Sequence, residues 1–360
     1  MGGFGVPAGG ARCHPLIQRA AAFAAALLLC AAPAFGDEGR RFSFRYETSV
    51  GPVEAGLGPV HVFVPLPAET GQQQVLETRI EASIPGSVEI EPTHGNRYWH
   101  GRLPVSDGAP IRITIDSTVV RKTHSVRPQA DRALSVEERE RWAAFLAPNA
   151  RVAVGDPILE PILAEIRAAR PSEKASDTAR AIYDWVVDNV EYKKIGTGWG
   201  HGDTFWACNE RYGNCTDFHA LFISLARSEG ILARSEGIPA RFEIGFPVPG
   251  SQPAGSIGGY HCWVNFYLPG SGWVPIDASE ASKDPEKREL YYGTHPPDRI
   301  HFTTGRDLRL GRDHRGPALN YFVYPYVEVA GTPFEGEVVR SFTYSTPTAD
   351  GAGAGRSPAR

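Results

Sequence analysis

The run Gly213-Asn214-Cys215-Thr216-Asp217-Phe218-His219-Ala220-Leu221-Phe222 constrains this chain more than any other stretch. A loop carrying glycine and asparagine opens directly onto an apolar helical pattern, and a cysteine sits at the junction. A helix is expected from Cys215 to about residue 229, with the thiol at its N-terminus. There, free N–H groups and the helix dipole favour the ionised sulfur, which is the reactive species. Past Arg241 the pattern changes to strands: Arg241–Phe246, Cys262–Tyr267, Gly272–Ile276 and Asn320–Val329. Two partners for a nucleophilic cysteine lie on those segments, His261 before Cys262-Trp263-Val264 and Asp277 after Trp273-Val274-Pro275-Ile276. An imidazole deprotonates a thiol, and a carboxylate holds the imidazole in one tautomer. Pro269-Gly270-Ser271-Gly272 reads as a tight hairpin turn, which pairs His261 near position 278, beside Asp277. The register decides whether the two share a face.

At 360 residues the chain has room for two domains. Its 37 basic and 41 acidic residues give no basic excess for nucleic acid. With 39 Gly and 30 Pro, strands should be many and short. Residues 1–36 read as a signal peptide: Arg12 and Arg19, an apolar run from Ala20 to Ala32, and Ala34-Phe35-Gly36 before a cut at Asp37. The apolar run is short for a membrane span, an uncleaved anchor being the alternative. Cleavage removes two arginines and no acid, and takes the formal charge from −4 to −6. Export from a bacterium, suggested by the abundance of Ala, Arg, Gly and Pro, means the periplasm or the exterior. Cys208, Cys215 and Cys262 remain in the mature chain. An odd number flags a free thiol. Either Cys208 and Cys262 form a disulfide, or all three are free.

Residues 41–122 read as all-β, with period-two runs at Phe42–Tyr46, Val60–Val64, Val88–Ile90, Arg97–Trp99 and Ile111–Val120 separated by turn signals. So many short strands suggest a small β-sandwich. No chemistry is expected there, because His61, His94 and His100 lack spaced partners. Residues 123–134 read as a linker. Ser135-Val136-Glu137-Glu138 is a capping box, and Asp156-Pro157 starts another helix. Ala179, Ile182, Val186 and Val190 form a helical stripe, most simply core packing. Residues 193–213 read as a glycine-rich, substrate-framing loop; no Gly-Lys-Ser/Thr follows to make it a phosphate cradle. Leu225–Ile231 is repeated identically as Leu232–Ile238, a local duplication that is expected to end the helix or form a loop without disturbing the strand beyond. The tail from about 346 to 360 reads as disordered.

Gly213-Asn214-Cys215-Thr216-Asp217, Gly237-Ile238-Pro239-Ala240-Arg241, Tyr260-His261-Cys262-Trp263-Val264 and Gly272-Trp273-Val274-Pro275-Ile276-Asp277, in that order, resemble the transglutaminase-like superfamily over roughly Ser172–Ser282. The resemblance implies Cys215 as nucleophile, His261 as base and Asp277 as third member. It implies an α+β fold: a β-sandwich domain at 41–122, then a papain-like transglutaminase core within 135–345, in which a helix bearing Cys packs on an antiparallel sheet bearing His and Asp. An exported enzyme acting on amide bonds of a protein or peptide follows, of transglutaminase, peptidase or deamidase type. A non-catalytic protein-binding module on the same fold is the alternative. No calcium loop is present, and no cofactor is implied.

His219 lies four residues after Cys215 on one helix face but ranks behind His261 as base. Asp217 in the first turn reads as a cap. Cys208, Cys215, His261 and Cys262 could supply tetrahedral zinc, but their spacing fits no finger, and adjacent strand residues point to opposite faces, so no metal is expected. Trp206, Asn209 and Tyr212 precede the cysteine and are candidates to frame the substrate or donate to an oxyanion.

Overall fold

Strand alternation organises the first third of the chain. In β1 (Arg40–Val50), Phe42, Phe44, Tyr46, Thr48 and Val50 are buried, while Arg41, Ser43, Arg45 and Glu47 face solvent. The same period runs through β2 (Val60–Pro65), β5 (Arg97–Leu103) and β6 (Ile111–Arg121) to varying degree, with β3 (Gln73–Ala82) and β4 (Gly86–Ile90) between them. The computed structural model describes residues 1, 39–129, 132–229 and 237–347. The expected signal peptide, and the expected tail beyond residue 347, lie outside them. Residues Asp37–Arg360 cluster as one compact unit.

The first strands do not close their sheets alone. β1, β6 and β3 form a five-stranded antiparallel sheet with β11 (Ala254–Ser256) and β18 (Val338–Ser345), in the order β11-β18-β1-β6-β3. β2, β5 and β4 form a second with β16 (Tyr326–Val329) and β17 (Thr332–Pro333), in the order β17-β16-β2-β5-β4. The segment expected to be a separate β-domain thus shares both sheets with the last strands of the chain. The strand expected over Asn320–Val329 is shorter, since only its last four residues pair.

Helices fill the middle. β7 (His124–Ser125) leads to α1 (Val136–Arg141), which carries the expected capping box, Ser135 with Glu138. Asp156 caps a single turn before α2 (Glu160–Ala169). α3 (Ala175–Asn189) buries Ala179, Ile182 and Val186 as the stripe predicts. Between β8 (Glu191–Tyr192) and β9 (Tyr212–Gly213), the stretch read as loop contains α4 (Thr204–Glu210), capped by Asp203. α5 (Cys215–Ser228) follows, and every one of its residues is buried.

α5 covers the third sheet. That sheet has the order β13-β12-β10-β15: β10 (Ala240–Pro247), β12 (His261–Leu268), β13 (Gly272–Ile276) and β15 (Arg299–Thr304), all antiparallel. α6 (Ala278–Lys283) and β14 (Thr294–His295) lie between β13 and β15 in sequence. Phe222 of α5 meets Phe266 of β12 with ring centroids 5.9 Å apart. A ring cluster couples this sheet to the first: Phe246 of β10 lies 5.2 Å from Phe44 and 4.3 Å from Phe342, while Phe302 of β15 packs beside it at 5.1 Å within the third sheet. Burying each such side chain contributes roughly 1.5–3 kcal/mol.

The duplicated heptad does not lengthen α5, which ends at Ser228 inside the first copy. Gly237 and Ile238, which end the second copy, return beside the helix, Ile238 N–H donating to Ala226 O at 2.8 Å. Residues 230–236, between them, lie outside the described set. β10 then pairs with β12 from Ala240 opposite Phe266. No helix among the described residues is long and apolar enough to cross a membrane.

Candidate active site

Asn214 starts the site because it starts α5. Its side chain accepts from Thr216 N–H at 2.9 Å, while Asp217 accepts from Asn214 N–H at 2.9 Å, a reciprocal cap. Asp217 also accepts from Gly200 N–H at 2.6 Å and Gly202 N–H at 2.9 Å. Three amides on one carboxylate tie the glycine-rich loop to the helix N-terminus. Gly200 runs at φ +85°, a backbone that side chains resist. At Gly213 a Cβ would come within 2.2 Å of the Asp217 carboxylate. The structural role expected for Asp217 is therefore larger than a cap.

This arrangement fixes Cys215 as the first helical residue, where the backbone N–H has no acceptor within the helix. Its side chain is 1 % exposed. His261 opens β12, and its imidazole acts electrostatically on the sulfur. Its Nε2 lies 2.7 Å from Asp277 Oδ2, which leaves Nδ1 for the sulfur. The hairpin explains that contact. β12 and β13 pair Val264 with Ile276 and Leu268 with Gly272, one residue off the expected register. Continued, this register sets Asp277 opposite Trp263, two positions from His261 on the same face. Asp277 is fully buried and caps α6, with Oδ1 accepting from Glu280 N–H at 3.1 Å and Ser279 Oγ at 3.1 Å.

The electrostatics follow. Burial alone would raise the Cys215 thiol, but Cys262 and the His261 imidazole with its charge leave it well below its usual value. Burial would lower His261, yet the Asp277 charge and hydrogen bond and the Cys215 sulfur push it up to about 10. Asp277 lies well below the ordinary carboxylate range, held there against burial by His261 and Arg299. Both directions favour a thiolate paired with an imidazolium.

Several contributors escaped the sequence reading. Arg299 of β15 places Nη1 3.0 Å from Asp277 Oδ2 and lies over the Trp263 ring, 5.0 Å from its centroid. Strand-to-strand convergence across β10 left no local sign of it. Cys262, next to His261 on β12, also acts to lower the Cys215 thiol. Burial drives the Cys262 thiol well up. His219 sits behind this pair, Nδ1 3.4 Å from Cys262 Sγ and Nε2 3.6 Å from Asp277 Oδ1. Burial holds it down at about 4, in the neutral form. Tyr260 Oη accepts from Asn214 Nδ2 at 3.0 Å.

The three framing candidates lie elsewhere or are committed. Trp206 donates its indole N–H to Tyr212 O at 3.0 Å, and Tyr212 donates its hydroxyl to Ile195 O at 3.3 Å. Asn209 is exposed on α4 and, with Trp206, lines a cavity beside Arg151 and Asp203. Cys208, Cys215 and Cys262 are all free, so the disulfide alternative is not realised. The cavity at His261 measures about 210 Å³ and is lined by Tyr192, Tyr260, Glu280, Lys283 and Arg299 among others.

Residues 162–278 match the transglutaminase-like superfamily. An uncharacterised protein of Haemophilus influenzae is 25% identical over 352 residues, covering 87% of this chain and 92% of that protein. A crystal structure from Cytophaga hutchinsonii, named a "putative cysteine protease", shares the fold with a TM-score of 0.56 at 19% identity, over 86% of this chain and 92% of that one. The mixed α/β architecture with its antiparallel sheets is the one seen there. The segment that carries Cys215, His261 and Asp277 is thus the part of the chain that matches the transglutaminase-like superfamily.

Proposed function

We propose that the chain is an exported cysteine enzyme that cleaves or transfers amide acyl groups, with Cys215 as nucleophile, His261 as acid and base, and Asp277 as the group that orients His261. The observation that carries the reading is the buried relay from sulfur to imidazole to carboxylate, with His261 Nε2 2.7 Å from Asp277 Oδ2. The Cys215 thiolate adds to the amide carbonyl, and the new oxyanion faces the Cys215 N–H at the start of α5. The imidazolium gives its proton to the leaving amine as the C–N bond breaks, and a thioester remains on Cys215. Neutral His261 then removes a proton from water or from a second amine, which attacks the thioester and releases the sulfur. Water is the default acceptor. Asp277 stays ionised throughout, as its surroundings require.

Export rests on the basic, apolar and small-residue succession of residues 1–36. Labelling the purified chain with a cysteine-directed electrophile, with site mapping, tests the nucleophile. Label is expected on Cys215, and hydrolysis or amine incorporation on a panel of peptides and glutamine donors is expected to vanish in Cys215→Ala. Full turnover by Cys215→Ala would end the proposal.

A further inference from the structure

The histidines of the β2–β5 pair have a partner that sequence spacing hides. β2 and β5 pair Phe63 with His100 and His61 with Arg102, so His61, Phe63, His100 and Arg102 share one face. Asp313, more than two hundred residues later, comes over that face. One coordinating atom from each of His61, His100 and Asp313 lies within 4.8 Å of the others. We propose that these three side chains form a binding site for one divalent transition-metal ion, of the kind that accepts imidazole and carboxylate ligands.

The supporting groups have the arrangement a metal site needs. His100 is fully buried, and its Nδ1 faces Glu89 Oε1 at 3.3 Å. Donation there fixes the tautomer and leaves a lone pair on Nε2, 2.9 Å from His61 Nδ1. Arg102 bonds Glu89 and reaches Asp313 Oδ2 at 3.1 Å, so it orients both carboxylates and leaves the other Asp313 oxygen for a ligand bond. Glu89 also accepts from Tyr98 Oη at 2.9 Å, which completes its partners. Phe63 stacks on His100 with centroids 4.3 Å apart and forms an apolar wall. Two carboxylates against one guanidinium leave a negative charge that a divalent cation would offset. A hydrogen bond between the two imidazoles would account for their separation, but it uses a single proton and has no need of a third, anionic group. His61 and Asp313 are half-buried, so an ion can enter and keep water on its remaining positions.

The test is titration of the full chain with Zn²⁺ by calorimetry and with Co²⁺ by visible absorption, in a Cys215→Ala background so that the active-site sulfur binds nothing. One ion per chain is expected, with Co²⁺ bands of a nitrogen- and oxygen-ligated ion. Asp313→Asn keeps shape and should weaken binding at least about tenfold, as should Glu89→Gln through its hold on His100. His61→Ala should abolish it, with folding checked by melting without metal. Absence of binding at 100 µM Zn²⁺ (~100 µM being ample for a specific site), or binding untouched by His61→Ala and Asp313→Asn, would overturn the proposal in favour of a hydrogen-bonded imidazole pair.

Discussion

Asp277 accepts from His261, Arg299, Ser279 and the Glu280 amide while fully buried. Removing its charge leaves His261 without its closest anion and Arg299 with Asp298 alone, so Asp277→Asn should lower kcat by about 10²–10⁴ and destabilise the fold by about 3–5 kcal/mol in urea titration. The linkage has a definite sign. Asp277 is depressed, so its contribution is present above the ordinary carboxylate pKa near ~4 and is lost as acid protonates it. His261 is raised to about 10, so its contribution is full below its usual ~6.5 and fades as pH climbs through about 10. The depressed Cys215 thiol contributes above its usual ~8.5 and loses that contribution as acid protonates it, so with His261 it places greatest stability near neutral pH, with a fall on both sides. Cys262→Ala tests the second sulfur. With that group gone, the acid limb of the rate–pH profile should move to higher pH while the plateau changes less than about tenfold; an unmoved limb would remove Cys262 from the site. Cys215, His261 and Asp277 were legible because each ends a recognisable element. Arg299 and Cys262 were not, since nothing in their own neighbourhoods signals contact with a distant carboxylate or sulfur.

At the scale of elements, α5 was legible almost to the residue, because a cap at Asn214 and an unbroken apolar run specify a helix locally. The loop before it was not. α4 is only seven residues long, too short for a helical period to show, and glycines surround it. Asp217 joins the two elements through three amides. Asp217→Ala should cost about 3 kcal/mol or more, given roughly 1–3 kcal/mol for each orphaned buried amide. Because the cap also sets the sulfur's position, the same variant should lose activity even where folding is complete. Wild-type stability by thermal melting, or full activity, would contradict this. Phe222→Ala, which empties the place of a ring packed on Phe266, should cost about 3–5 kcal/mol.

At the scale of the molecule, the hidden part of the fold is long-range pairing. Alternation reveals that a strand exists and which face is buried, but not its neighbour. β18 therefore gave no sign of joining β1, nor β16 of joining β2, and an isolated sandwich at 41–122 was the natural reading. The pairing has a consequence. A fragment spanning 39–122 lacks β18, β16 and the ring of Phe342, and should show poor amide dispersion by NMR, whereas the chain from 39 to 347 should fold. The same closure brings β10, β12 and β15 under α5, which makes the sulfur's chemistry a property of the whole assembly. Its most direct test is the alkylation rate of Cys215 by iodoacetamide against pH, resolved by mass spectrometry from Cys208 and Cys262. The account predicts rapid modification that persists well below the usual thiol pKa of about 8.5 and is lost in His261→Ala. A rate that rises only near pH 8.5 and ignores the histidine would contradict it.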